Sequence, residues 1–320
     1  MAPSKWITAV IAGCLSGQAL AVPTATSDFE GNPLAKRTSI NDAATGYASQ
    51  NGGTKGGAGG TTTTVSSSAA FTQAVSGDAA KVVVVSGTIT QKADQARVGS
   101  NTSIIGKDSK AILENFGLLV KEKSNVIIRN LGIKKVLADN GDAIGIQDST
   151  NVWVDHCDVS SDRDHDKDYY DGLIDITHAA DYVTVSNTFI HDHWKASLIG
   201  HSDNNGNEDT GHRYNINSRA PSFRFGTGHI YNGYFENVSD GINTRKGAQL
   251  LVESNSFVGS KKPLYSTDAG YAVANDNGFG DGSNTAEKGT LTSMPYSYTL
   301  LGSGKVKSAV VGSAGQTLSF

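Results

Sequence analysis

The sequence predicts an all-β protein with the architecture of a right-handed parallel β-helix. Beyond residue 81 the chain consists of short apolar alternations bounded by Gly, Asn, Asp or Ser, and helical periodicity is weak. One phrase, a polar residue followed by alternating apolar residues, recurs along the chain. Its copies are separated by steps of roughly 20–30 residues with unequal insertions, which is the signature of a solenoid.

The repeated phrase marks one strand of each coil. Earlier strands are predicted at 82–85 and 102–106, and the phrase itself occurs at 125–130, 151–156, 181–186, 228–232 and 249–254. The step from Val185 to Ile230 is longer than the others, so it should hold two coils. A β-sandwich would instead show hairpin turns at closer and more regular spacing. Residues 47–64 are rich in Gly and Thr and are predicted to form a loop.

The N-terminus has the features of a secretory signal. Residues 1–21 combine Lys5, a short apolar run and a small-residue cleavage site at Ala19-Leu20-Ala21. Residues 22–45, with a dibasic pair at 36–37, are predicted to be a propeptide or a flexible segment. Residues 46–320 should form a single catalytic β-helix domain. We therefore expect a secreted, extracellular protein, with N-glycosylation sequons at Asn101 and Asn237.

Composition excludes several functional classes. The chain has 27 basic and 31 acidic residues, a formal charge of −4, which argues against nucleic acid as the main partner. No apolar run reaches the roughly 18 residues that a membrane-spanning helix needs, so no membrane partner is expected. The two cysteines, of which Cys14 leaves with the signal, exclude a disulfide scaffold and a cysteine-ligated zinc site. A monomer is expected.

The first candidate chemistry lies at 171–176. Strand alternation turns Ile174 and Ile176 inward, and it turns Asp171 and Asp175 outward, roughly 7 Å apart. Two unpaired carboxylates at that range favour a bound cation, although ordinary solvated acids fit equally well. Calcium suits such a site because it accepts several carboxylate oxygens in irregular geometry. Asp142, one coil earlier, joins this set only if Gly141 bends the chain.

Further polar stretches follow. The loop at 162–168 alternates charges, and the acids at 203, 208 and 209 lie in an Asn/Gly-rich loop and are expected to be solvated. His191 and His193 are predicted to serve stacking and hydrogen bonding, because no nucleophile elbow or zincin spacing accompanies them. Lys195 should point outward on the side of the aspartates. Two arginines flank a proline at 219–224. Two fixed positive charges near a metal ion would repel the ion and each other unless an anion lies between them, so the pair favours an anionic substrate.

These segments together make the chain resemble a fungal pectate lyase of polysaccharide lyase family 1, from about residue 46 to the C-terminus. The matching segments are Asp-Ala-Ile at 142–144, Val-Trp-Val-Asp-His at 152–156, Asp-Gly-Leu-Ile-Asp-Ile at 171–176, His-Asp-His-Trp-Lys at 191–195 with Gly-His-Ser-Asp at 200–203, and Arg-Ala-Pro-Ser-Phe-Arg at 219–224. The resemblance implies a parallel β-helix, a calcium cofactor and β-elimination on polygalacturonate.

The resemblance also assigns roles to single residues. The residues that match calcium ligands are Asp142, Asp171 and Asp175. Arg219 matches the catalytic base, Lys195 the carboxylate-binding lysine and Arg224 a second substrate-binding arginine. Asn140 stands where some bacterial relatives have another acidic ligand. Between 211 and 217 the chain is about eight residues shorter than the family pattern, just before Arg219.

Three other functions remain open from the sequence. A pectin lyase acting on methyl-esterified substrate needs no charge-neutralising metal, so the acidic residues and Lys195 speak against it. A β-helical galacturonan hydrolase would need a close acid pair, and Asp171 with Asp175 could serve as one. The third is a non-catalytic, calcium-stabilised carbohydrate-binding β-helix, which would bind polygalacturonate without turnover.

Overall fold

The computed structural model describes residues 39–216 and 221–320, and it has the predicted parallel β-helix architecture. The signal at 1–21, most of the segment at 22–45 and Arg219 lie outside the described residues, so the domain boundaries stay predictions. The helices are two short 3₁₀ turns, Gly46–Ser49 and Ala138–Asn140, and α1 Ser68–Val75, α2 Gly206–Asp209 and α3 Ser303–Val310.

The strands, in chain order, are β1 Thr61–Val65, β2 Lys81–Val85, β3 Thr88–Thr90, β4 Ala96–Arg97, β5 Thr102–Gly106, β6 Ile112–Glu114, β7 Leu118–Lys121, β8 Ser124–Arg129, β9 Gly132–Lys134, β10 Ile144–Gln147, β11 Thr150–Asp155, β12 Asp158–Ser160, β13 Ile174–Thr177 and β14 Asp181–Ser186. They continue with β15 Phe189–His191, β16 Ser197–Ile199, β17 Arg213–Ile216, β18 Pro221–Arg224, β19 Thr227–Tyr231, β20 Tyr234–Glu236, β21 Asp240–Arg245, β22 Gln249–Glu253, β23 Ser256–Val258, β24 Lys262–Thr267, β25 Tyr271–Asn275, β26 Asn284–Thr285 and β27 Glu287–Lys288. Strand β1 begins at Thr61, so the last four residues of the segment predicted to be a loop, 61–64, form a strand instead.

Each full coil contributes one strand to each of three parallel sheets. The repeated sequence phrase lies in an eleven-stranded sheet, β1-β2-β5-β8-β11-β14-β17-β19-β22-β25-β27. A nine-stranded sheet has the order β26-β24-β21-β18-β16-β13-β10-β7-β4. The third side consists of a five-stranded sheet, β15-β12-β9-β6-β3, and a two-stranded sheet, β20-β23. The long sequence step does hold two coils, because β17 lies between β14 and β19.

The interior of the helix is an apolar ladder, as strand alternation predicts. Val152, Val154, Ile174 and Ile176 are fully buried in one continuous core cluster. The opposite face of β11 is buried too, because the segment before the first strand packs over it. Trp153 lies there in a second cluster with Ala44 and Ala48 of that segment.

Strand β17 of the eleven-stranded sheet and strand β18 of the nine-stranded sheet belong to one coil. Residues 217–220 between them lie outside the described residues. Strand β17, at Arg213–Ile216, falls within the segment where the sequence predicts a shortfall, and it continues the eleven-stranded sheet between β14 and β19. No helix among the described residues is long and apolar enough to cross a membrane.

Candidate active site on the nine-stranded sheet

Asp142 reaches the outer face of the nine-stranded sheet through a bend at Gly141. Gly141 has a φ of +83°, a conformation that glycine adopts without strain. The bend overrides the simple alternation, which would have turned Asp142 inward. Its Oδ1 accepts a hydrogen bond of 3.1 Å from the backbone N–H of Gly172 on the next coil. Asp142 therefore points outward, as the sequence predicts if Gly141 bends the chain.

Asp175 lies in the middle of β13, beside the backbone of the next strand. Its Oδ1 accepts a hydrogen bond of 3.1 Å from the N–H of Leu198 in β16. A Cβ atom added at Gly172 would lie only 2.4 Å from the same oxygen. Glycine at 172 thus leaves room for the Asp175 carboxylate, and any larger residue would displace it.

Asp171 and Lys195 form an ion pair at the edge of this group. Lys195 Nζ lies 3.2 Å from Asp171 Oδ1 and 3.6 Å from Asp168 Oδ1. Lys195 points outward on the side of the aspartates, as alternation predicts. The structure therefore brings together on one face the four residues that the sequence selected from three successive coils, Asp142, Asp171, Asp175 and Lys195.

The carboxylates repel one another in this arrangement. Burial, and then the charge of Asp171, raises the pKa of Asp142 from 3.8 to about 7. Burial raises the pKa of Asp175 well above its usual value, and the charges of Asp142 and Asp171 add to that shift. A bound cation would compensate both the burial of these negative charges and their mutual repulsion, so carboxyl groups with such pKa shifts are suited to bind one.

The donor set fits calcium in chemistry, although the carboxylates do not already converge. Among the described residues, no three His, Cys, Asp or Glu side chains are grouped closely enough to hold a metal ion. Asp171 is held by Lys195, so it would have to turn toward Asp142 and Asp175 to complete a site. Asn140 donates to Asp94 over 3.2 Å, and its own Oδ1 has no hydrogen-bond partner among the described residues. Asn140 is two residues before Asp142, and its amide oxygen is a neutral ligand of the kind that calcium accepts.

Arg224 is fixed by contacts that the sequence did not predict. Its Nε donates to Asp203 Oδ1 over 2.8 Å, and its Nη1 donates to the carbonyl of Gly200 over 2.8 Å. Asp203 also pairs with Arg245 at 3.5 Å and with Lys246 at 3.4 Å. Three cations thus surround one aspartate on the same sheet. The sequence predicts Asp203 to be a solvated acid, whereas the structure pairs this partly exposed carboxylate with three cations.

Two smaller predictions have opposite outcomes. The histidines serve stacking and hydrogen bonding as expected, since His191 stacks on Phe189 and His193 Nδ1 lies 2.8 Å from Ser161 Oγ. The prediction of a solvated Asp209 is wrong. Asp209 is 1 % exposed and accepts a hydrogen bond from the N–H of Ala179, because the turn of α2 folds it under the loop.

The two glycosylation sequons differ in accessibility. Asn237 is exposed at the end of β20. Asn101 is half-buried, and its amide donates to the carbonyl of Asp78 while its oxygen accepts from Asn125. Asn237 is therefore the better acceptor for a glycan, and modification at either residue stays a prediction.

Comparison with known families identifies the chain at this point. A protein-family model described as pectate lyase matches residues 4–318. The chain belongs to the pectate lyase family. Pectate lyase A of Aspergillus niger is 74 % identical over 325 aligned residues, which cover 99 % of both chains. Probable pectate lyase A of Neosartorya fischeri is 76 % identical and covers 99 % of this chain and 100 % of that relative.

Solved pectate lyases share the fold. A pectate lyase from Bacillus sp. N165, solved in complex with trigalacturonate, is 33 % identical with a TM-score of 0.76, covering 85 % of this chain and 98 % of that one. Pectate lyase II of Xanthomonas campestris is 26 % identical with a TM-score of 0.71 and the same coverage. The alignments with the fungal pectate lyases exceed the 320 residues of this chain, so those relatives carry residues that this chain lacks.

Proposed function

We propose that the protein is a calcium-dependent, secreted pectate lyase that cleaves (1→4)-α-D-galacturonan by β-elimination and releases 4,5-unsaturated oligogalacturonates. The observation that carries the proposal is the group of outward carboxylates from Asp142, Asp171 and Asp175 beside Lys195 and Arg224. The acids lie on two successive coils and the cations on the next two coils of the same sheet, an arrangement that suits a polymer bearing a carboxylate on every unit. Membership of the family supports the same activity.

The three aspartates would hold the calcium ion. When bound, calcium neutralises the C6 carboxylate of a galacturonosyl unit, which makes the C5 proton more acidic. Lys195, which pairs with Asp171 in this structure, would donate to the same carboxylate. Arg224, fixed by Asp203 and the Gly200 carbonyl, presents its remaining N–H groups to a neighbouring unit.

Arg219 is proposed to be the base that removes the C5 proton. Arginine is normally always protonated, so it can accept a proton only where nearby positive charge lowers its pKa. The leaving group is the C4 oxygen of the same unit, and no water enters the reaction. The carboxylate pair of a hydrolase is therefore not required. Activity should consequently rise into the alkaline range, above the pH at which solvated carboxylates are already ionised.

The deciding experiment follows the ultraviolet absorbance of the unsaturated product. Polygalacturonate is incubated with the protein in calcium, in excess chelator, and after calcium is restored. Absorbance that appears only with calcium supports the proposal. Reducing ends that appear without absorbance in chelator would instead favour the hydrolase, and a pectin lyase would act on methyl-esterified pectin regardless of chelation. Binding of polygalacturonate without any product would favour the non-catalytic β-helix.

A further inference from the structure

His193 is a half-buried histidine beside the candidate site, and the proposed elimination gives it no role. It lies two residues before Lys195, in the loop between β15 and β16. Its Nδ1 lies 2.8 Å from the Oγ of Ser161, the residue that directly follows β12. Strands β12 and β15 are neighbours in the five-stranded sheet. The contact between Ser161 and His193 therefore joins two successive coils at the point where the chain turns toward the candidate site.

The imidazole of His193 lies against the backbone that carries Asp171 and Lys195. Its ring centroid is 6.4 Å from that of Tyr170, the residue directly before Asp171. Burial lowers the pKa of His193, whereas weak hydrogen bonding to the backbone of Asp171 and of Lys195 opposes that shift. The Nε2 atom is shielded from solvent, and no described residue completes a hydrogen bond of full geometry to it. A buried polar atom left in this state calls for a structural or functional explanation.

Asp171 and Lys195 depend on their backbone for their relative position. Their side chains are 45 % and 39 % exposed, and an ion pair that solvent reaches so easily fixes geometry only weakly. The segment that carries Asp171 is held on the preceding coil by a hydrogen bond of 3.1 Å from the N–H of Ala138 to the carbonyl of Tyr169. On the following coil, the carbonyl of Lys195 accepts a hydrogen bond of 3.2 Å from the N–H of Leu173. His193 lies against the backbone at both site residues, next to this second hydrogen bond.

The chemistry proposed for the site is sensitive to the position of these two side chains. Calcium binds oxygen ligands within a narrow range of about 2.3–2.6 Å, so a displaced Asp171 would weaken the metal site. A displacement of about 1 Å at a group that positions substrate, such as Lys195, can cost on the order of a hundredfold in rate. An imidazole is a rigid spacer, because only two torsions orient it, and the contact with Ser161 restrains both.

We propose that His193 is a positioning residue of the candidate site. Its imidazole, fixed by Ser161, holds the backbone at Asp171 and Lys195 at the spacing that calcium and a substrate carboxylate require. His193 itself contacts neither the metal nor the substrate, and it acts through the two residues that do. This inference rests on the proposed function, and it adds a residue that belongs neither to the proposed calcium ligands nor to the substrate-binding cations.

The test is calorimetric titration of parent and variants, first with calcium chloride and then with a de-esterified oligogalacturonate in calcium. His193→Phe keeps a ring but removes both nitrogens, so each Kd should weaken by about three- to tenfold, the range expected for loss of one buried hydrogen bond. His193→Gln should recover much of the loss, because its amide keeps a donor and an acceptor. Ser161→Ala should weaken both Kd values in the same direction. His191→Phe is the matched control, since His191 stacks on Phe189 on the third side of the solenoid, and it should leave both Kd values within about twofold of the parent.

Denaturant unfolding of the same proteins separates positioning from a purely structural role. A His193→Phe protein that is less stable but keeps both Kd values of the parent would overturn the inference, as would equal losses in the Phe and Gln variants. If His193→Phe does not fold, His193→Gln and Ser161→Ala decide the matter, and Ser161→Ala with the Kd values of the parent counts against positioning. If the parent binds calcium but forms no unsaturated product, the proposed elimination is wrong and the titrations still test His193. A parent that binds neither calcium nor oligogalacturonate would overturn both.

Discussion

Replacing Asp142 by Asn should stabilise the metal-free protein and weaken its response to calcium. The Asn side chain has nearly the same shape, and its amide oxygen can still accept the hydrogen bond from Gly172. The substitution removes a negative charge that is destabilised by burial and by the neighbouring charge of Asp171. The substitution therefore isolates the charge of one proposed ligand from its packing.

The magnitude follows from the pKa of Asp142, which rises from 3.8 to about 7 on folding. A raised folded-state pKa means that the native chain binds a proton which the unfolded chain has already released. Stability therefore falls as pH rises from about 4 to about 7, by about 1.4 kcal/mol per pH unit, and stays low above that range. At pH 8 the charged Asp142 thus costs about 4 kcal/mol, which is the upper bound of what Asp142→Asn restores.

The assay is denaturant unfolding of parent and variant in excess chelator at pH 5 and pH 8, repeated with calcium. Without metal, the variant should be more stable than the parent at pH 8 by about 2–4 kcal/mol, and by much less at pH 5. With calcium the order should reverse, because the parent gains a ligand contact that the variant lacks. Asp281→Asn, at an exposed position on the last coils, serves as the control and should change neither value.

One result would refute this reasoning. If Asp142→Asn were less stable than the parent at pH 8 in chelator, the carboxylate would be favourable where it lies and the repulsion would be absent. A variant that gained stability in chelator yet kept the calcium response of the parent would show that Asp142 is not a ligand.

Three further substitutions test the surrounding structure. Asp203→Asn should lower kcat/KM on polygalacturonate about fivefold, because Arg224 loses its anchor. Denaturant unfolding should change by less than about 1 kcal/mol, because the Asp203 carboxylate is 43 % exposed. Arg219→Lys should remove nearly all product absorbance and keep polygalacturonate binding; more than about a tenth of the parent rate would exclude it as the base. Asp155→Asn should destabilise the fold by about 3–5 kcal/mol at pH 7, because buried Arg129 loses a partner at 2.9 Å. Burial opposes ionisation of Asp155, but its hydrogen bonds and the nearby positive charges outweigh burial and lower its pKa, so this difference between parent and variant should shrink as pH falls below about 4.

Most of the solenoid could be predicted because its signal is local and repeated. Each coil needs one run of alternating apolar residues. The spacing of these runs predicts where each strand lies, and the alternation predicts which way each side chain points. The direction of Asp175 and Lys195 was predicted in this way. Asp142 required one additional fact, the positive φ of Gly141, which the sequence presented only as a condition.

The features that could not be predicted depend on residues distant in sequence. Burial of Trp153 requires the segment around Ala44 and Ala48 to lie across the eleven-stranded sheet, more than 100 residues away. The bond between Arg224 and Asp203 links a strand to a loop of irregular length. Neither contact recurs at a regular spacing along the chain, so the alternation of apolar and polar residues does not predict it. Family resemblance named Arg224 as functional but gave no indication of what holds it.

The coil formed by β17 and β18 has two aromatic side chains in its interior. Tyr214 comes from β17 and Phe223 from β18, with 5.5 Å between ring centroids. Glycine at 228 leaves space for Phe223, because a Cβ there would lie 2.5 Å from its ring. Close packing inside this coil thus depends on a glycine in the next strand, β19.

The sheet that carries the proposed site is continuous across this coil. Strand β18 pairs with β16 in continuous register, Ser197 with Pro221 and Ile199 with Phe223. The position of Arg224 relative to Lys195 is therefore set by the pairing of these strands. Arg219 precedes β18 and lies outside the described residues, so its assignment as the base rests on the resemblance of the segment at 219–224. Arg219→Lys is consequently the experiment on which that assignment depends.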